Sequence, residues 1–283
     1  MSGRVDAHHH VWDFGVRDHP WIDPDSMAAI HRDFALADLA PVAAAAGVTA
    51  TVLVQTVPLA AETPEFLALA ADGDGLVAGV VGWVDLTAPD VADALAALRA
   101  APGGERLVGI RHPVQSEPDP GWLARPDVRR GLAAVADAGL VYDLLVRHHQ
   151  LPAATEAVRA LPELRFVLDH LGKPPVAAGG LAPWADDLRA LAACPNVAAK
   201  LSGLVTEDDW AHWTVERLRP YADVAIDAFG PDRLMFGSDW PVCLLAASYA
   251  DWVAAADELT SAFTPTQRAA FRSATARHWY NLP

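Results

Sequence analysis

His8 and His10 stand two residues apart in the run Val5-Asp6-Ala7-His8-His9-His10-Val11-Trp12. Alternate side chains of a β-strand project from the same face, so these two imidazoles can close on one small target. Imidazole nitrogens ligate divalent metals or donate to a developing oxyanion, and the pair suits either chemistry. A purification-tag remnant would be longer and would not lie between Val5-Asp6 and Val11-Trp12-Asp13. Polar residues also end other short apolar runs: Gln55, Trp83 with Asp85, Arg111 with His112, Tyr142 with Asp143, Asp169 with His170, Lys200 with Ser202, and Asp239 with Trp240. Burying such groups is costly unless they pair or bind something, so their recurrence at the same place in each run points to a site.

The apolar runs that must position them are Val5–His8, Thr51–Gln55, Val77–Val84, Leu107–Arg111, Leu140–Val146, Arg165–Asp169, Val197–Leu201 and Leu234–Ser238. Several are apolar on both faces, as in Val77-Ala78-Gly79-Val80-Val81, which is the pattern of parallel strands covered by helices. Alanine- and leucine-rich segments at helical spacing lie between them: Pro64–Ala71, Val91–Ala100, Val128–Ala138, Ala153–Leu161, Trp184–Ala193 and Trp210–Phe229. Asp90 and Asp127 read as N-caps, Gly139 and Gly230 as C-caps, and Thr264–Pro283 as a closing helix. Eight strands with helical crossovers predict an α/β chain, a single-domain (β/α)8 TIM barrel over 1–283. An open doubly wound sheet is the rival, but no glycine-rich phosphate turn follows the first strand. In such a barrel the C-terminal strand ends carry the chemistry, and those are where the polar residues fall.

Composition narrows the partners. A formal charge of -15 argues against nucleic acid, and Lys173 and Lys200 are the only lysines. Cys194 and Cys243 cannot form a disulfide framework, and the start Met1-Ser2-Gly3-Arg4 lacks the apolar core of a signal peptide, so a reducing cytoplasm is the expected location. The most apolar stretch, Leu39 to Val54, carries Pro41 and Gly47 and is shorter than the roughly 20 residues that span a bilayer. Glu62, Glu65, Asp72 and Asp74 read as a solvated face, and His31, His112, His148, His149 and His278 as solvated or capping histidines. Trp12, Trp83, Trp122 and Trp240 suit either packing or ring stacking. Asp169, next to His170 on a strand, faces away from it and reads equally as a backbone cap or a catalytic group.

Taken together, Val5-Asp6-Ala7-His8-His9-His10-Val11-Trp12, Gly109-Ile110-Arg111-His112, Val167-Leu168-Asp169-His170-Leu171-Gly172-Lys173-Pro174, Lys200-Leu201-Ser202-Gly203 and Met235-Phe236-Gly237-Ser238-Asp239-Trp240-Pro241 resemble the amidohydrolase superfamily, amidohydrolase-2 type, in its sugar-lactonase branch. The resemblance spans nearly the whole chain. It implies lactone ring opening, since the branch includes hydrolases of L-fuconolactone, L-rhamnonolactone and 2-pyrone-4,6-dicarboxylate. It also implies that His8 and His10 are the superfamily's His-x-His pair, His170 its strand-six histidine and Asp239 its strand-eight aspartate. The bridging lysine and strand-five histidine of binuclear members are missing, because Leu140–Val146 holds no histidine and neither lysine falls on strands four or five. At most one divalent ion, zinc by preference, is then expected on His8, His10 and Asp239 with His170 nearby; some members of the branch work without metal.

Lactone opening needs an activated water, a base and oxyanion stabilisation. Asp239 is the expected base, with His8, His10 and His170 polarising the carbonyl. Arg111, Gln55, Trp83, Tyr142 and Trp240 are the expected substrate-binding residues, with an ion pair to Asp85 or Asp143 as the alternative for Arg111. Lys200 either orients the substrate or is tied up by a carboxylate beneath the rim. The rivals are a metal-dependent decarboxylase of the same superfamily, disfavoured by the absent strand-five histidine, and a non-catalytic sugar-acid-binding barrel, which would not need a base. The expected partner is a small-molecule lactone, with neither nucleic acid nor membrane, and a homo-oligomer is compatible with the sequence.

Overall fold

Strand by strand, the chain lays down β1 (Arg4–His9), β2 (Val48–Val54), β3 (Val77–Gly82), β4 (Leu107–His112), β5 (Val141–Leu144), β6 (Arg165–Leu168), β7 (Val197–Leu201) and β8 (Leu234–Phe236). The computed structural model describes residues 3–73 and 75–283. All neighbouring strands pair in parallel and in sequence order. Past the end of β8 the sheet meets β1 through a parallel bridge between His9 and Trp240, with Asp239 N–H donating to His8 O at 2.8 Å and His10 N–H to Trp240 O at 2.7 Å. The sheet is thus a (β/α)8 barrel, as the strand pattern predicts.

The helices between strands are α1 (Leu36–Ala45), α2 (Glu62–Asp72), α3 (Val91–Ala100), α4 (Pro126–Asp137), α5 (Leu151–Ala160), α6 (Trp184–Ala192) and α7 (Val215–Phe229), followed by α8 (Tyr249–Leu259), α9 (Pro265–Ala269) and α10 (Thr275–Tyr280). A π turn over Ala270–Ala274 joins the last two, so the predicted closing helix is bent rather than continuous. α1 and α8 are not among the expected helices, and α7 starts later than expected: Thr214 caps that helix, its hydroxyl accepting from Arg217 N–H, and leaves Trp210 outside. Arg125, with Pro126 behind it, takes the cap position expected of Asp127. Among the described residues no helix is long and apolar enough to cross a membrane.

Two apolar layers explain why the strands are apolar on both faces. Val52, Val54, Val81, Val141, Val167, Ala198 and Met235 fill the barrel interior together with Trp279, Tyr280 and Leu282 of the C-terminal segment. Leu53, Val80, Ile110, Tyr142, Phe166, Val197 and Phe236 face the helices. One strand breaks the alternation. Ala7 belongs to the inner layer, yet the next residue, His8, also points inward, reaching Lys200 across the barrel; the register shift between Asp6 and His9 accommodates both. The bulge leaves Asp6 outside, where its carboxylate accepts from Ser238 N–H at 2.8 Å and from the Tyr249 hydroxyl at 2.9 Å, pinning β1 to the β8 end.

Candidate active site

Strained backbone presents the groups that meet at the rim. After β6 the residues His170, Leu171, Gly172 and Lys173 all take positive φ, of 51°, 52°, 69° and 53°, forming a left-handed turn that swings His170 inward. Asp239, just past β8, has φ 57°. Side-chain-bearing residues occupy this region at a cost of about 1–3 kcal/mol each, and such strain gathers at functional sites. Glycines clear the space beside them. A Cβ on Gly203 (φ 65°) would lie 2.7 Å from His170 Nδ1, and one on Gly237 would lie 2.9 Å from His8 Cβ.

One carboxylate oxygen, Asp239 Oδ1, stands 3.7 Å from His8 Nε2, 3.6 Å from His10 Nε2 and 3.8 Å from His170 Nε2. All four residues are buried. Each imidazole is held from behind through Nδ1: His10 by Val54 O at 2.7 Å, His170 by Ser202 Oγ at 2.8 Å, and His8 by Lys200 Nζ at 3.1 Å and Asp169 Oδ1 at 3.3 Å. This arrangement leaves the Nε2 atoms free to face one another, and outer-shell support of this kind is what orients metal-ligating histidines. His8, His170 and Asp239 each offer a ligand atom within 4.8 Å of the others. Imidazole nitrogens plus one carboxylate suit a divalent ion, with His10 beside them. Burial, reinforced by the Lys200 ammonium, holds His8 well below the ordinary histidine pKa, and burial brings His170 down to about 4. Burial would raise Asp239, but His170 and His10 beside it hold the carboxyl below its usual value. At neutral pH the site therefore combines a carboxylate with neutral His8 and His170.

Directly beneath lies a buried cluster of charges drawn from strands far apart in sequence. Lys200 Nζ reaches Asp143 Oδ2 at 2.6 Å and Asp169 Oδ1 at 2.9 Å, Tyr280 donates its hydroxyl to Asp143 at 2.8 Å, and Arg111 Nη1 contacts Asp169 Oδ2 at 2.9 Å. Burial alone would push the Asp169 carboxyl up, but Lys200, His8 and Arg111 together hold it well below the usual carboxylate range. Lys200 is accordingly tied up below the rim, and Asp169, rather than capping backbone, lies among Lys200, Arg111 and His8. Asp143 occupies the place on β5 where a histidine ligand was sought.

Several expected substrate contacts change meaning. Arg111 is 3% exposed and pairs with Asp169, not with Asp85 or Asp143; its Nη2 donates to the backbone and side-chain oxygens of Gln55. Arg111 and Gln55 thus brace each other at the barrel wall, with Arg111 Nη1 also 3.3 Å from His8 Nε2. Tyr142 is turned the other way, level with Ile110 and Phe166 in the layer facing the helices, because its neighbour Asp143 takes the inward position. Trp240 is buried edge-on against Phe34 and forms wall. Trp83 remains at the rim, half-buried, its Nε1 donating to His112 Nδ1 at 3.0 Å. His112 is not solvated: it stacks on Trp122 at 4.2 Å and meets Glu117 at 2.8 Å, so it steadies Trp83. Glu62, expected on a solvated face, is fully buried and accepts from Thr56 N–H at 2.8 Å; Asp74 of that face lies outside the described residues. The missed network carried one sequence signal, two lysines in the chain with one inside a strand; its partners sit on other strands and are not local in sequence.

The amidohydrolase family model matches residues 5–282. Among curated proteins, the L-fucono-1,5-lactonase of Burkholderia ambifaria is 39% identical over 286 residues, spanning 100% of this chain and 97% of that protein. The L-fucono-1,5-lactonase of Burkholderia multivorans is 41% identical over 292 residues, spanning 99% and 96%. Among solved structures, an amidohydrolase from Burkholderia multivorans with bound zinc superposes with a TM-score of 0.94 at 40% identity, covering 99% of each chain. With its barrel, its strand-end histidines and aspartate, and a family match from end to end, the chain belongs to the amidohydrolase family.

Proposed function

We propose that the protein is a lactonase that opens a small sugar-derived ring, an aldonolactone such as L-fuconolactone or L-rhamnonolactone, with Asp239 as the base. The observation that carries this reading is the position of Asp239 Oδ1, ionised and within 3.6–3.8 Å of three imidazole nitrogens. The likeness to two L-fucono-1,5-lactonases over nearly full length supports the substrate class. The inward place on β5, filled by Asp143 bound to Lys200, favours hydrolysis over the decarboxylase alternative, which calls for a histidine there.

In this mechanism Asp239 accepts a proton from water as its oxygen bonds to the lactone carbonyl carbon, the imidazoles of His8 and His170 stabilise the charge that gathers on the carbonyl oxygen, and His10, its Nδ1 given to Val54 O, holds the neighbouring His8 ring in place. As the ring carbon–oxygen bond breaks, Asp239 returns that proton to the departing ring oxygen, leaving the open hydroxy acid and a carboxylate ready for the next turn. Trp83 supplies a wall for the sugar ring, and Lys173 with Glu207, 3.7 Å apart beside the His170 turn, supplies partners for ring hydroxyls. His8, His10, His170 and Asp239 would hold a divalent ion, for which zinc fits best. When bound, it supplies Lewis acidity.

A pH-indicator screen of five- and six-membered aldonolactones, run with and without chelator and paired with metal analysis, tests the reading. Ring opening of at least one aldonolactone, with no more than one equivalent of metal per chain, is expected. Inertness toward every lactone, together with carbon dioxide release from an aromatic or enoic acid, would overturn it.

A further inference from the structure

His8 Nδ1 faces two groups that ask opposite things of it. Lys200 Nζ, 3.1 Å away, is an ammonium between two carboxylates and can only donate, which requires a bare Nδ1 and leaves the ring proton on Nε2. Asp169 Oδ1, 3.3 Å from the same nitrogen, can only accept, which requires the proton on Nδ1 and a lone pair on Nε2. Arg111 Nη1, 3.3 Å from Nε2, can only donate and so sides with Asp169, but the two shorter contacts, to Lys200 and to His10, both at 3.1 Å, agree on a proton at Nε2. His10 Nδ1 must donate to the carbonyl of Val54 at 2.7 Å, so a neutral His10 turns a lone pair toward His8 Nε2, 3.1 Å away. That contact is a hydrogen bond only if His8 carries its proton on Nε2. Lys200 to His8 to His10 to Val54 O then forms one continuous chain of donors.

We propose that Lys200 is a positioning residue that sets the tautomer of His8, holding Nε2 as a hydrogen-bond donor in the metal-free site, while Asp169 supports the alternative tautomer in which Nε2 is a ligand. The inference deepens the lactonase reading and rests on it for its catalytic meaning. In the first state His8 donates toward the position of the substrate oxygen, and the site needs no ion. In the second, Nε2 gives up its proton and Nδ1 gains one, the ring staying neutral, and the site takes a divalent cation. Lys200 therefore opposes metal binding, and the balance between it and Asp169 decides how strongly the protein depends on an ion.

The test uses full-length protein labelled with 15N-histidine, stripped by chelator, with the His8 signals identified by their loss in His8→Gln. Long-range 1H–15N spectra report the tautomer, and zinc affinity is measured by competition with a chromophoric chelator. Metal-free protein is expected to carry the His8 proton on Nε2 and to move it to Nδ1 as zinc is added. Lys200→Met is expected to place the proton on Nδ1 without zinc and to tighten zinc about 10–100-fold, the size of outer-shell effects on metal affinity. Where Lys200→Met does not fold, the tautomer of the metal-free wild type and its movement as zinc is added decide the matter. A His8 proton on Nδ1 in the metal-free wild type, or zinc affinity unchanged in folded Lys200→Met, would overturn the proposal. Neither readout uses a substrate, so failure to open any lactone would count against the proposed activity and leave this result to stand by itself.

Discussion

Replacing Arg111 by methionine separates two roles for a guanidinium at the heart of the site. In the sequence it reads as a fork for ring substituents, and loss of such a fork raises KM more than it lowers kcat. In the structure its Nη1 sits 2.9 Å from Asp169 Oδ2 with both side chains buried, and its Nη2 is bonded to Gln55. Removing one partner of a buried ion pair leaves an uncompensated charge and costs about 3–5 kcal/mol. Each kcal/mol lowers the melting temperature of a chain this long by roughly 2 °C, so Arg111→Met should melt roughly 6–10 °C below wild type. Because Arg111 Nη1 also lies 3.3 Å from His8 Nε2, and Asp169 touches His8 from behind, kcat should fall while KM changes little. Arg111→Lys should recover only part of the loss, since a point charge cannot reach Asp169 and Gln55 together. Thermal denaturation followed by circular dichroism, with initial-rate kinetics on an aldonolactone, gives both quantities. An unchanged melting temperature with a raised KM would show that the guanidinium reaches the substrate and that the buried-pair argument is wrong.

Gly203→Ala should lower kcat by tenfold or more, because its Cβ would meet His170 Nδ1 at 2.7 Å and displace the ring from Ser202; the positive φ adds about 1–2 kcal/mol of strain, and a variant with normal kcat would mean that His170 is free to move. The pH dependence of kcat/KM should be flat from neutrality down to about pH 5 and fall below it. His170, depressed to about 4, is neutral above that value and charges as pH drops through it, and Asp239 lies below its usual range, so activity is present above and lost below; an acidic limb near pH 6.5 would contradict the burial argument. Tyr249→Phe, which removes one buried donor to Asp6 at the β1–β8 seam, should cost about 1–3 kcal/mol in denaturant unfolding and leave KM unchanged.

The barrel was legible because each strand is apolar on both faces and each ends in polar residues. That same double apolarity hid which face each residue takes, so Tyr142 and its neighbour Asp143 looked equally inward, whereas only Asp143 is. The helix Leu36–Ala45 was hidden by Pro41 in its interior and by its merging into the apolar run that becomes β2. Spacing placed His8 and His10 together, but the bulge that turns both Ala7 and His8 inward has no signature in residue type. The left-handed turn at His170–Lys173 was equally silent, since three of its four residues are not glycine. Arg111 found Asp169, 58 positions away, rather than the carboxylates considered for it; ion-pair partners across a barrel are set by strand register, which sequence separation does not reveal.

The central claim is that Asp239 is the base of a lactonase, and single-turnover hydrolysis of an aldonolactone by Asp239→Asn tests it most directly. The amide keeps the shape of the carboxylate but cannot take a proton from water, so the account predicts an intact fold, retained substrate binding and a rate of ring opening reduced by about 10²-fold or more. Ring opening at close to the wild-type rate would contradict it.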